Sequence, residues 1–132
     1  MARRRVPTAD NRAAAREMLP TYLAYLLAQH GAAARPLVDL VHPDDPADGA
    51  AAQDPETALA ALVAARGRRS AIERAEGHLL GLLVLAGLPR TRLAQTLGCR
   101  PDTLAAMIDD TAADWAQRPL HRDPVAFGGW RP

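Results

Sequence analysis

This chain has essentially one material from which to build a core. Of its 132 residues 29 are alanine, leucine supplies most of the remaining apolar volume, and only five are aromatic. Alanine and leucine are strong helix formers, and alanine lets helix backbones approach closely. The chain is therefore expected to be all-α, with closely packed helices, and a β-sandwich or β-barrel is excluded. Its length gives room for one domain, or one domain with arms.

Charge is distributed in blocks. Residues 1–17 carry five arginines against Asp10 and Glu17. Residues 37–65 carry six acids (Asp39, Asp44, Asp45, Asp48, Asp54, Glu56) and no Lys or Arg. Residues 66–108 return to seven arginines against three acids. Two basic segments are thus separated by an acidic connection, within a net charge of only +1. Lysine is absent, and this bias, with the alanine excess, points to a high-GC bacterial genome. A lone cysteine, Cys99, has no intramolecular disulfide partner and fits a reducing cytoplasm. The longest uncharged apolar run, Leu79 to Pro89, is about half of the roughly 20 residues a membrane-spanning helix needs. Asp10, Arg12, Arg16 and Glu17 interrupt any resemblance of the N-terminus to an export signal. The expectation is a cytoplasmic protein with no membrane partner.

Local punctuation places about five helices between a basic arm (1–9) and an aromatic tail (120–132), with a single helical domain over 10–119. The first helix is expected from about Asp10 to His30, with Met18, Leu19, Tyr22, Leu23, Leu26 and Leu27 at helical spacing. Gly31 reads as its stop, and Pro20 as a kink or division. An acidic, proline-rich loop follows over 36–54. Asp54 then caps a second helix that has Pro55 at its first position and ends near Arg66-Gly67. Ser70 to Glu73 reads as a capping box opening a third helix that ends at Gly87. This helix is apolar on all faces beyond Leu79 and should be the most buried element. Gly77 and Gly81, one turn apart, permit a close crossing on it.

Residues 87–108 carry the most specific pattern. A short helix from Arg90 to Leu97 ends at Gly98, which supplies a left-handed backbone position, and another begins near Pro101. Ala94 is small where the two helices cross, and Leu93, Leu97, Leu104, Met107 and Ile108 form an apolar seam. The pattern resembles the helix-turn-helix superfamily, in particular the motif in the C-terminal region of sigma factors and related bacterial regulators. Thr103-Leu104 stands where such motifs often have Thr-Val. The resemblance covers about 22 of the 132 residues and implies a reading helix that enters the major groove of duplex DNA. Its outward positions here are Arg100, Pro101, Asp102, Ala105, Ala106 and Asp109, followed by Asp110. Arg100 is the one best suited to a base edge, whereas Asp109 and Asp110 repel phosphate. Arg90, Arg92, Arg68, Arg69 and the arm residues Arg3, Arg4 and Arg5 are candidates for phosphate or minor-groove contacts. The alternative reading of these arginines is solvated surface, or ion-pair partners of the acidic loop.

Leu104, Ile108, Ala112 and Trp115 continue one apolar stripe, so the last helix is expected to run to Pro119, closing the domain or meeting a partner. Trp115, Phe127 and Trp130 are the candidate partner-binding anchors, for another protein or a second copy. No catalytic or cofactor site is expected. Asp44, Asp48 and Gly49 imitate a calcium loop, but Pro46 and Pro55 occupy ligand positions. The four histidines and Cys99 lack metal-ligand spacing, Gly128-Gly129 lacks the residues of a phosphate loop, and His78 reads as a core residue. Two functions fit. One is a small bacterial DNA-associated transcriptional regulator. The other is a protein-interaction adaptor or assembly subunit that uses the motif as a scaffold.

Overall fold

A computed structural model describes residues 6–132, which form five α-helices: α1 Ala9–Val41, α2 Pro55–Arg66, α3 Arg69–Leu85, α4 Arg90–Leu97 and α5 Pro101–Ile108. Three-ten helices cover Pro46–Gln53, Ala112–Trp115 and Phe127–Gly129. Two short strands, β1 His121–Arg122 and β2 Trp130–Arg131, pair antiparallel with His121 opposite Arg131. The chain is all-α but for this small hairpin. Among the described residues no helix is long and apolar enough to cross a membrane.

The described residues fall into two compact units. One comprises the described residues up to Ala24 together with Arg74–Pro132, and the other Tyr25–Glu73. The cause lies in α1. Its 33 residues extend about 50 Å, whereas a compact 100-residue domain has a radius of gyration of about 13 Å. No single core of that size can line the helix from end to end.

In the first unit the C-terminal half of α3 contributes to two apolar clusters. Leu82 and Leu85 pack with Ala15, Met18 and Tyr22 of α1 and with Ala112. Leu80 and Val84 pack with Leu93 and Ala94 of α4, Leu104 and Ile108 of α5, and Ala113. The all-round apolar segment is thus central because both flanks of α3 need partners. Its glycines serve close approach: a Cβ on Gly77 would overlap the carbonyl oxygen of Met107, and one on Gly81 the hydroxyl of Thr111. Asn11, buried on α1, fastens the other end by donating from Nδ2 to the carbonyls of Trp115 (2.8 Å), Ala116 (3.2 Å) and Arg118 (2.9 Å).

The C-terminal tail docks on α1. Gly128 and Gly129, at φ +79° and +85°, turn the chain so that β2 returns beside β1. The Phe127 ring lies 4.9 Å from that of Tyr22. Trp130 Nε1 donates to Glu17, which also pairs with Arg122 at 3.2 Å, and the Arg122 guanidinium sits 4.5 Å over the Trp130 ring. Burial of Tyr22 raises its phenol pKa above the ordinary value.

Within the second unit, α2 begins as the sequence indicates. Asp54 accepts from Thr57 N at 3.2 Å and Oγ1 at 2.5 Å, Pro55 occupies the first turn, and Gly67 closes the helix. These hydrogen bonds, from the Thr57 hydroxyl first and its backbone N–H second, hold the Asp54 carboxyl below the usual range.

Four boundaries differ from the expectation. Gly31 does not end α1, which continues through Pro20, Gly31 and Pro36 to Val41. A helical glycine costs only about 1 kcal/mol relative to alanine, and Ala28, Ala32, Ala33 and Ala34 surround this one. The 36–54 loop shrinks to residues 42–45 before the three-ten helix, which Asp45 caps by accepting from Ala47 N at 2.9 Å. The capping box at Ser70 does not form, because α3 opens at Arg69, with Ile72 N donating to Arg68 O, and Ser70 already lies inside the first turn. Finally, α5 stops at Ile108 instead of reaching Pro119. Asp110 takes a left-handed φ of +54°, and Thr111 donates to the Ile108 carbonyl while its oxygen accepts from Ala113 N. The hydroxyl thereby ends one helix and starts the next turn.

Candidate functional site

In the first unit α4, the bend after it and α5 build an exposed surface of defined shape. Gly98, at φ +66° and ψ +30°, lets its own N–H and that of Cys99 return to the last carbonyls of α4. Arg100 and Pro101 then start α5 in a new direction, Pro101 at a position where the missing N–H costs nothing. Leu93, Ala94, Leu104 and Ile108 are buried in the crossing and Met107 half-buried, as the sequence suggests. Leu97 is the exception: at 50% exposure it lies outside the seam. The crossing closes tightly, leaving between α4 and α5 only a dimple of about 30 Å³, lined by Arg90, Thr91, Ala94, Pro101, Leu104 and Ala105.

Pro101, Asp102, Thr103, Ala105 and Ala106 present an exposed face on α5. Asp109 and Asp110 lie beyond its C-terminal end, where the chain has turned away. Arg90 and Arg92 occupy the first turn of α4, and Arg100 is the N-cap residue of α5. Three arginines therefore stand at the positive ends of two helix dipoles, where cations are disfavoured. Among the described residues none of the three takes part in an ion pair. Thr103, noted in the sequence only for its place in the motif, is exposed on α5, and Gln95 on α4 is an exposed hydrogen-bonding side chain that the sequence reading passed over, although the outward register of α4 would have identified it.

The remaining candidates are placed elsewhere. Arg68 and Arg69 are exposed in the second unit, and Arg3, Arg4 and Arg5 lie outside the described residues. Trp115 and Trp130 pack against the cluster formed by α1 and α3, and Phe127 against Tyr22, so all three anchors have partners within their own unit. His78 is exposed, contrary to its reading as a core residue. An open groove of about 540 Å³ lies between the start of α1 and the C-terminal segment, but its Glu17, Arg122 and Asn11 side chains are already engaged with one another or with main chain. Among the described residues no three His, Cys, Asp or Glu side chains converge to hold a metal ion. No known protein family, curated protein or solved structure matches the chain.

Proposed function

We propose that the chain is a small DNA-associated regulator in which α4 and α5 act as a helix-turn-helix. One observation carries this reading: Arg90, Arg92 and Arg100, which form no ion pair among the described residues, stand at the positive ends of α4 and α5. In the isolated chain they repel the dipoles behind them. An anion set before them turns that cost into attraction, and helix N-termini with free backbone N–H groups are ready phosphate sites. Reading helices contact bases through their N-terminal residues, and here those are Arg100, Asp102 and Thr103, with the Ala105 and Ala106 methyls beside them. The early end of α5 favours the same reading, since it leaves Asp109 and Asp110 off the helix, about 12 Å along from Arg100. With phosphate contacts dominating, affinity should exceed sequence discrimination.

The test is binding of a labelled random-sequence duplex by fluorescence anisotropy over a series of salt concentrations. Affinity should fall steeply with salt, by roughly 0.9 logarithmic units per phosphate engaged for each tenfold rise. Arg92→Ala should reduce that slope by about one. Undetectable binding at low salt overturns the reading. The protein-interaction adaptor then stands in its place, favoured by Asp102, an exposed acid on the same face of α5.

A further inference from the structure

The second unit buries one small side chain and leaves several of its large ones exposed. On α2 the inward position is Ala61, with Thr57 and Ala65 half-buried beside it. On the opposite side Leu59, Leu62 and Val63 are 55%, 47% and 61% exposed. At 3.6 residues per turn these three share one stripe, and Glu56 and Arg66 extend the same stripe at its two ends. An apolar stripe bounded by charge on a solvent-facing helix has the composition of an interface, and the unit also exposes Leu27, Leu37, Val38 and Val41 on α1.

The stripe's symmetry identifies the occupant. Leu59 and Val63 are equidistant along the sequence from Ala61, and so are Glu56 and Arg66. The apolar pattern and the charge pattern therefore share one centre, with an acid on the N-terminal side and a base on the C-terminal side. An isologous contact demands this arrangement, because each residue must meet the complement of itself across the axis. Among the described residues neither Glu56 nor Arg66 forms an ion pair within the chain.

We propose that the outer face of α2 binds a second copy of this chain, the two α2 helices running antiparallel about a two-fold axis level with Ala61. Leu59 then lies over Val63 of the second copy, and Glu56 over its Arg66, twice by symmetry. The contact is independent of any nucleic acid and stands or falls separately from the reading of α4 and α5.

Sedimentation equilibrium on the full chain, without DNA, tests it. At about 100 µM, above the micromolar-to-picomolar dissociation constants of standard interfaces, the mass should approach twice the 14.1 kDa of one chain. Glu56→Arg or Arg66→Glu alone should weaken association by about tenfold, since each sets like charges opposite each other twice. An equimolar mixture of the two variants should recover the wild-type dimer, because every crossed pair is then again of opposite sign. A wild-type mass of one chain at this concentration overturns the proposal. So does a mixture that associates no better than its components, which a parallel or differently centred contact, or a different partner altogether, would give.

Discussion

The two units are made from the same few residue types and arranged in opposite ways. In the first, Met18, Leu82, Leu85, Leu104 and Ile108 are fully buried, and alanines and glycines mark where helices cross. In the second, Ala61 is the one buried residue among those described, and Leu27, Leu37, Leu59, Leu62 and the three valines are exposed. The difference shows what an alanine-rich composition leaves open. Alanine specifies helix without specifying which face is inside, so only the placement of larger side chains decides whether a helix closes its own core or supplies half of another.

The sharpest way to break this contrast is a matched pair of truncations. Leu82→Ala should destabilise the first unit by about 2–5 kcal/mol, as for a fully enclosed leucine. Val63→Ala should change the stability of dilute protein by no more than about 0.5 kcal/mol. Urea denaturation at low concentration measures both, and equal losses would erase the distinction. Asn11→Ala should cost about 1–3 kcal/mol, since it strips three main-chain carbonyls of their shared donor. Its effect should be confined to the first unit, which residue-resolved amide exchange can check.

The pH response should separate the units again, more gently. Tyr22 binds its proton more tightly in the folded state, so its contribution is complete below the ordinary tyrosine pKa of about 10 and declines as pH rises through the raised folded value. Asp54 has the opposite sign: its contribution is present above the ordinary carboxylate range and is lost as pH falls through the lowered folded value. Alkaline titration should therefore loosen the contacts around Tyr22 first, and acid titration should fray the start of α2 first. Tyrosine absorbance and the Thr57 amide shift are the respective probes. The smallest effect is expected from Asp54→Asn, which keeps a capping oxygen and should remove the acid response while leaving α2 formed.

Sequence alone revealed the parts of the fold in which local chemistry and tertiary structure agree. The Asp54-Pro55 start, the Gly98 bend and the Pro101 start each rest on a backbone requirement met within a few residues. It misled where an apolar stripe outlasted the helix that carried it: Leu104, Ile108, Ala112 and Trp115 keep helical spacing, yet Asp110 and Thr111 break the backbone between them. Asp-Asp-Thr held that signal, since aspartate tolerates the left-handed region and threonine caps a new turn. Gly128-Gly129, considered only as a phosphate loop, supplies the two positive-φ positions that end the 123–129 connection between β1 and β2. The role of Asn11 was not legible at all, because its acceptors lie more than 100 residues away. At the candidate site the arginines were visible from the start. So were both helix starts beside them; that none of the three forms an ion pair with a described residue was not, because that depends on which acids the fold brings near.

Hydrogen exchange measured as a function of protein concentration tests the division of the molecule most directly. Amides of residues 75–108 should be strongly and equally protected at every concentration. Those of α2 should exchange rapidly in dilute solution and become protected as copies associate. Protection of α2 that matches the first unit in dilute solution, and does not change with concentration, would contradict the account.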